Sequence, residues 1–342
     1  MIITESEVWT DFEQELSQEC IRQKTPVILV VNKTDLVSPT QVWLDELKGI
    51  SPHIMLCSCK DAEAQKESCI LELKRLLLAV CPEDFLNPPS ILGDLLPSGR
   101  GLPLAVLIVP IDLQAPKGRL ILPQVQSIRD CLDSDAAVAV VKEREFPAFL
   151  QRLASPPELV VCDSQIALKM VADTPTSVPC TTFSILFSRY KGNIDEMAQG
   201  AAVIPSLKSS DRILVSEACT HHALEDDIGR VKIPRWIRQF TGADIKIDHC
   251  TGKDYPVDIN TYNLIIHCGG CSLTRREMLW RIEQARASHV PVTNYGMAIS
   301  VLQGVIERTL SPFPSALDAY CRVSQTHKRR HLYDPDRISR IP

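Results

Sequence analysis

Pro26-Val27-Ile28-Leu29-Val30-Val31-Asn32-Lys33-Thr34-Asp35 is an apolar run that breaks directly into a polar turn. A strand with one wet face alternates apolar and polar side chains. An unbroken run of Val, Ile and Leu reads instead as a strand covered on both faces, as in parallel sheets. The pattern recurs at Leu104–Val109, Ala136–Val141, Leu159–Cys162, Ile213–Val215 and Leu264–Ile266, and stretches with helical spacing follow most of these runs. Strands alternating with helices predict an α/β chain built of parallel-sheet βα domains. The Pro/Gly-rich stretch Asn87–Pro103 and the polar stretch Pro205–Asp211 read as boundaries, giving three units at 1–86, 87–205 and 206–342. No internal repeat or low-complexity tract interrupts them.

Composition narrows the function classes. With 342 residues and 45% hydrophobic content the chain is long enough for more than one core. A net charge of −5 argues against a nucleic-acid surface. The basic run His327-Lys328-Arg329-Arg330-His331 reads as a solvated tail. No stretch has the length and apolarity of a membrane span, and the start lacks the pattern of a secretion signal, so a cytoplasmic protein is expected. The 13 cysteines are mostly scattered singly, as reduced buried thiols would be.

The opening run also carries chemistry. Asn32-Lys33-Thr34-Asp35 resembles the N-K-x-D element with which P-loop GTPases read guanine, Asp35 accepting from the base while Asn32 holds the loop and the Lys33 stem covers the ring. A helix near Pro39–Lys48 and a second strand, His53–Cys57, then lead into Ser58-Cys59-Lys60, similar to the S-A-K element of that family. The order and distance match, so Asn32, Lys33, Asp35, Ser58, Cys59 and Lys60 are the expected guanine-binding set. The phosphate-cradling G-x-x-x-x-G-K-[ST], the switch threonine and the magnesium-binding D-x-x-G do not precede them. Asp226-Asp227-Ile228-Gly229, far downstream, reads as a chance string. The first unit is therefore expected to be an incomplete P-loop GTPase domain, with the chain beginning inside it and no GTP hydrolysis of its own.

The remaining chemistry-bearing pattern is split. Cys219 and His221 lie in Glu217-Ala218-Cys219-Thr220-His221-His222, and His267, Cys268 and Cys271 lie in His267-Cys268-Gly269-Gly270-Cys271. Three thiols and two imidazoles brought together suit either zinc or an iron-sulfur cluster, and ligand type alone leaves both open. Each half follows an apolar run, which places both at strand carboxyl ends, where open α/β sheets put their sites. The glycines allow the backbone to wrap closely around a bound group. His221 and His267 are candidate ligands or, alternatively, donors that orient the thiolates, and His222 is a weaker candidate.

Long segments of the chain resemble the HydF family, the maturation GTPases of the FeFe-hydrogenase H-cluster. They are Val109–Asp130, Thr181–Gly192, Glu217–His222, Asp227–Trp236, His267–Met278 and Val292–Ile299. The resemblance implies a GTPase domain, a middle dimerisation domain and a C-terminal domain holding a 4Fe-4S cluster. It also implies a scaffold or carrier for the di-iron subcluster precursor, working with radical-SAM hydrogenase maturases and apo FeFe-hydrogenase as a homodimer. Cys219, Cys268 and Cys271 are then the expected thiolate ligands. Three cysteines leave one iron without a thiolate, and that iron is the expected docking point for the precursor. A structural zinc site of Cys3His type and a GTP-regulated switch are the competing readings. Among the lesser motifs, Ala115–Arg119 reads as a structural turn and Asp163 or Ser164 as the N-cap of the following helix. Asn294-Tyr295-Gly296 is a candidate pocket lining, and Gly296–Leu310 a core helix.

Overall fold

Three separate parallel sheets organise the chain in a computed structural model describing residues 1–22, 24–60, 63–81, 89–97, 99, 101–110, 119–218, 227–252, 255–256 and 258–332. Residues 1–89 and 90–342 form two compact units. The parallel α/β class expected from the apolar runs is what the chain adopts.

The first unit holds β1 (Ile2–Glu5), β2 (Leu29–Asn32) and β3 (Ile54–Leu56) in the order β1-β2-β3, all parallel. Helices α1 (Asp11–Arg22), α2 (Gln41–Ile50) and α3 (Glu63–Val80) connect and follow them. The opening run explains itself here. Val27, Leu29 and Val31 join a core with Ile2 and Leu47 on one face, while Ile28 and Val30 join Met55 and Leu76 on the other. With successive side chains pointing to opposite faces, a strand buried on both sides must be apolar throughout.

The second unit holds two four-stranded sheets. In the first, β4 (Leu104–Ile108), β5 (Ala137–Val141), β6 (Leu159–Cys162) and β7 (Cys180–Thr182) run in the order β5-β4-β6-β7. Its helices are α4 (Leu122–Asp133), α5 (Phe146–Leu150), α6 (Ala167–Asp173), α7 (Phe183–Lys191) and α8 (Ile194–Ala201). Asp163 stands at the N-cap position expected of it, although its side chain makes no capping hydrogen bond. A short 3-10 turn, Ser164–Ile166, intervenes before α6, and the Asp163 carboxylate accepts from Gln124 Nε2 at 3.0 Å.

The second sheet holds β8 (Arg212–Glu217), β9 (Lys246–Thr251), β10 (Leu264–His267) and β11 (Val292–Asn294) in the order β11-β10-β8-β9, all parallel. Helices α9 (Ile233–Thr241), α10 (Arg275–Ala287), α11 (Tyr295–Leu302) and α12 (Pro314–Leu332) accompany it. The 296–310 segment packs in the core as expected, with Met297, Ile299, Ile306 and Leu310 buried, and Gly304 takes a left-handed turn at φ 72° between α11 and a short helix at Ile306–Thr309. One core serves both sheets. Leu107 and Val161 from the first share it with Ile213, Leu264 and Ile266 from the second. Between them α7 buries Phe183, Ile185, Leu186 and Phe187.

Candidate metal centre

Strand order fixes where a site can form. The chain leaves β8 toward β9 on one side and returns to β10 on the other, so the sheet has its topological switch point between β8 and β10. Side-by-side parallel strands whose connections depart in opposite directions leave a crevice at their carboxyl ends. Register brings Ser216, His267 and Asn294 level across β8, β10 and β11 at that edge. The next residues along each strand are Glu217, Cys268 and Tyr295, each inside a candidate motif.

The Cys268–Cys271 loop is tightly built. The Cys268 N–H donates to Ser216 O at 2.9 Å, continuing the sheet by one bond. The Cys268 sulfur in turn accepts from the N–H of Ala218 at 3.1 Å and of Gly270 at 3.4 Å. Two backbone amides thus converge on the one sulfur. Gly270 sits at φ 61°, and a Cβ there would lie 2.4 Å from Met278 Cε. No larger residue fits that turn without strain. Thr274 then caps α10, its hydroxyl accepting from the Glu277 N–H at 3.2 Å, so the loop passes into a helix N-terminus. Cys268 and Cys271 are both half-buried.

His267 is placed differently from its neighbour. It is buried, and its two ring nitrogens have protein partners: Nδ1 lies 3.0 Å from Cys268 O and Nε2 lies 3.1 Å from Arg281 Nη1. A guanidinium only donates, so Nε2 must accept and Nδ1 must carry the proton it gives to the carbonyl. The ring's lone pair is therefore occupied. Burial, and then the Arg281 charge, push the His267 pKa down to about 4, which keeps the ring neutral. Arg281 also donates to Ser216 Oγ at 3.4 Å, Gly252 O at 2.6 Å and Glu277 Oε1 at 3.3 Å, and lies 5.2 Å from the Tyr255 ring centroid.

Besides Arg281, two charged residues here, Glu217 and Lys191, were not singled out by sequence. Glu217, at the end of β8, is 2% exposed and accepts from Tyr295 Oη and Arg230 Nε, each at 3.3 Å. Gly229 makes room for this pair, since a Cβ there would lie 2.0 Å from the Tyr295 hydroxyl and 2.6 Å from Glu217 Oε1. Burial, then the nearby Cys268 and Glu217, hold the Tyr295 hydroxyl well above its usual pKa, so it stays a donor. Lys191, at the end of α7, reaches the loop from beneath with its Nζ 2.8 Å from Gly270 O, 3.0 Å from Cys271 O and 2.7 Å from Leu273 O. A Glu, a Lys and an Arg look like surface residues in a linear reading, and only their partners on other elements reveal them as buried. Asn294 caps α11 through the Met297 N–H at 2.9 Å and ties it to α7 by donating to Ser184 O at 2.6 Å.

Cys219, His221 and His222 lie outside the described residues, as do residues 115–118 of the expected structural turn and the side chains of the basic tail. Among the described residues no group of three or more His, Cys, Asp or Glu side chains is gathered as a metal site. The donor chemistry described, the thiols of Cys268 and Cys271 with two amides converging on the former, fits a soft-metal or iron-sulfur group.

In the first unit the guanine-reading candidates are partly brought together. Ser58 is buried and donates to Asp35 Oδ1 at 2.7 Å, and also accepts from the Lys60 N–H at 3.2 Å. Thr34 bonds Cys57 O through its hydroxyl at 3.1 Å, joining the two loops. Lys33, at φ 60°, turns away to an ion pair with Glu5, and Cys59 is exposed. Asn32 and Lys33 line a cavity of about 380 Å³ with Glu5 and Glu13, beside the Asp35–Ser58 pair and not including it.

An α/β protein with a cysteine loop at the switch point of its last sheet is the class these features define. Residues 91–192 match the hydrogen maturase F dimerization domain and residues 195–312 the hydrogen maturase F tetramerization domain. The chain belongs to the HydF family and takes part in hydrogenase maturation. No curated protein matches it. Among solved structures, a 5,10-methylenetetrahydrofolate dehydrogenase from the silkworm Bombyx mori is 8% identical, with 68% of this chain and 90% of that one covered at a TM-score of 0.19. A protein described as LpCGTa in complex with UDP is 10% identical, with 96% and 94% covered at a TM-score of 0.18. Likeness at that level carries no argument.

Proposed function

We propose that this chain is a scaffold that binds a 4Fe-4S cluster through Cys219, Cys268 and Cys271 and holds the di-iron subcluster precursor for transfer to apo FeFe-hydrogenase. One observation carries the reading: the 3.1 Å hydrogen bond from the Ala218 N–H to the Cys268 sulfur. It ties the residue before Cys219 to the second cysteine motif, and consecutive Cα atoms are only about 3.8 Å apart. When bound, the cluster supplies an iron that lacks a thiolate ligand, where the precursor would dock. The chain's own residues do the rest. Amides of Ala218 and Gly270 donate to the Cys268 sulfur, Gly270 permits the turn, and Arg281 fixes the His267 ring against the loop carbonyl.

His267 is thus an orienting group in this account, with its lone pair committed to Arg281. A Cys3His zinc centre that used His267 would have to break that bond, which disfavours the structural-zinc reading. The open iron is tested by anaerobic reconstitution and EPR of the reduced protein with and without added cyanide. A shift of the spectrum is expected, and an unchanged spectrum would overturn the claim of an exchangeable site.

The homodimer is proposed to form through the 91–192 segment. There β5 ends the strand order, with an apolar sequence whose Val140 is 45% exposed, and an uncovered apolar edge invites strand pairing with a second copy. The three-unit division, with cluster binding in 206–342, belongs to the same proposal. The first unit is taken as the guanine-reading half of a GTPase domain, supported by the Asp35–Ser58 contact that joins the two base-reading loops. A cytoplasmic setting with radical-SAM maturases and apo-hydrogenase as partners completes the proposal. No helix among the described residues is long and apolar enough to cross a membrane.

A further inference from the structure

Lys191 sits at the last position of α7 in the segment matched to dimerization, yet its side chain ends in the cysteine loop of the segment matched to tetramerization. It is 7% exposed, and among the described residues it forms no ion pair with a carboxylate. A buried ammonium is costly unless each N–H finds an acceptor. Here the three donors of the ammonium meet three carbonyls, those of Gly270, Cys271 and Leu273, at 2.8, 3.0 and 2.7 Å. Three carbonyls converging on one point repel one another, so this loop shape is favourable only while a cation fills the cradle.

Peptide geometry carries the consequence outward. No peptide bond is cis, so each carbonyl turned toward Lys191 turns the N–H of the next residue away from it. Those N–H groups belong to Cys271, Ser272 and Thr274, and no acceptor among the described residues takes them. The N–H groups therefore splay outward from the cation while the carbonyls close on it. A second tie secures the same helix end, since Arg275 Nη1 donates to Tyr190 O at 2.7 Å.

We propose that Lys191 is a positioning residue: it acts as a built-in cation that holds the Cys268–Leu273 backbone in its ligand-presenting shape and makes that shape depend on α7. The proposal deepens the cluster-binding reading and rests on it for its purpose, but the loop geometry is a property of the metal-free chain. The test therefore uses metal-free full-length protein. Peptide-resolved hydrogen exchange and iodoacetamide labelling are compared among the parent, Lys191→Met and Lys191→Gln. The expected result is that exchange of the hydrogen-bonded Cys268, Gly270 and Leu273 amides and labelling of Cys271 quicken by roughly tenfold or more in both variants, as for a locally released segment. The β6 amides, in the other sheet of the same unit, should keep their protection. Unchanged loop exchange would overturn the proposal. So would protection lost equally in β6, or failure of both variants to fold, either of which would make Lys191 a fold-maintaining residue. Because no cluster is present, a failure here is distinct from a failure of reconstitution.

Discussion

Acidifying the metal-free protein should destabilise the second unit through one residue. His267 is neutral in the folded chain because burial, and secondarily Arg281, lower its pKa from 6.5 to about 4. In the unfolded chain the ring titrates normally. The folded pKa is the depressed one, so the contribution is fully present above pH ~6.5 and is lost as pH falls through the window down to about 4. At 1.36 kcal/mol per pKa unit the whole effect is roughly 3 kcal/mol, of which about 2 kcal/mol disappears between pH 7 and pH 5. The assay is urea unfolding at a series of pH values, followed by hydrogen exchange in the 264–267 peptide so that the second unit is read alone. His267→Gln provides the control, since its amide oxygen still accepts from Arg281 and nothing titrates. The variant should start somewhat less stable at pH 7 and lose about 2 kcal/mol less than the parent on going to pH 5. Parallel pH profiles for parent and variant would refute the reasoning, because they would mean that the ring is not held neutral in the fold.

Gly270→Ala places a Cβ at φ 61° and 2.4 Å from Met278 Cε, and should cost about 1–2 kcal/mol of second-unit stability in the same urea assay. Ser58→Ala removes the 2.7 Å bond to Asp35 from a buried position, and should lower first-unit stability by about 1 kcal/mol, read by fluorescence of Trp43. Val140→Lys puts a charge on the exposed β5 edge, and light scattering should then show half the parent's dimeric mass; an unchanged mass would place the dimer contact elsewhere.

What could be read from sequence follows how local its cause is. β2, β4, β6, β8 and β10 are legible because burial on both faces forces an apolar run, and the cysteine motifs are legible because ligand spacing is short. β9 was not legible, since as an edge strand it carries Lys246, Asp248 and His249 and needs no such run. The N-cap position of Asp163 was legible, but the bond its carboxylate makes was not, because its partner Gln124 lies 39 positions away and on another element. The same holds for the second layer of the candidate site. Arg281 reaches His267 because 3.6-residue periodicity turns it toward β10, and Lys191 reaches the loop across the two matched segments. Neither relation leaves a mark in spacing.

The central claim is that the cysteine crevice holds an iron-sulfur cluster, and metal and sulfide analysis after anaerobic reconstitution tests it most directly. The account predicts about four irons and four acid-labile sulfides per chain, with loss of both in Cys268→Ala. Tightly bound zinc without sulfide, surviving the same treatment, would contradict it.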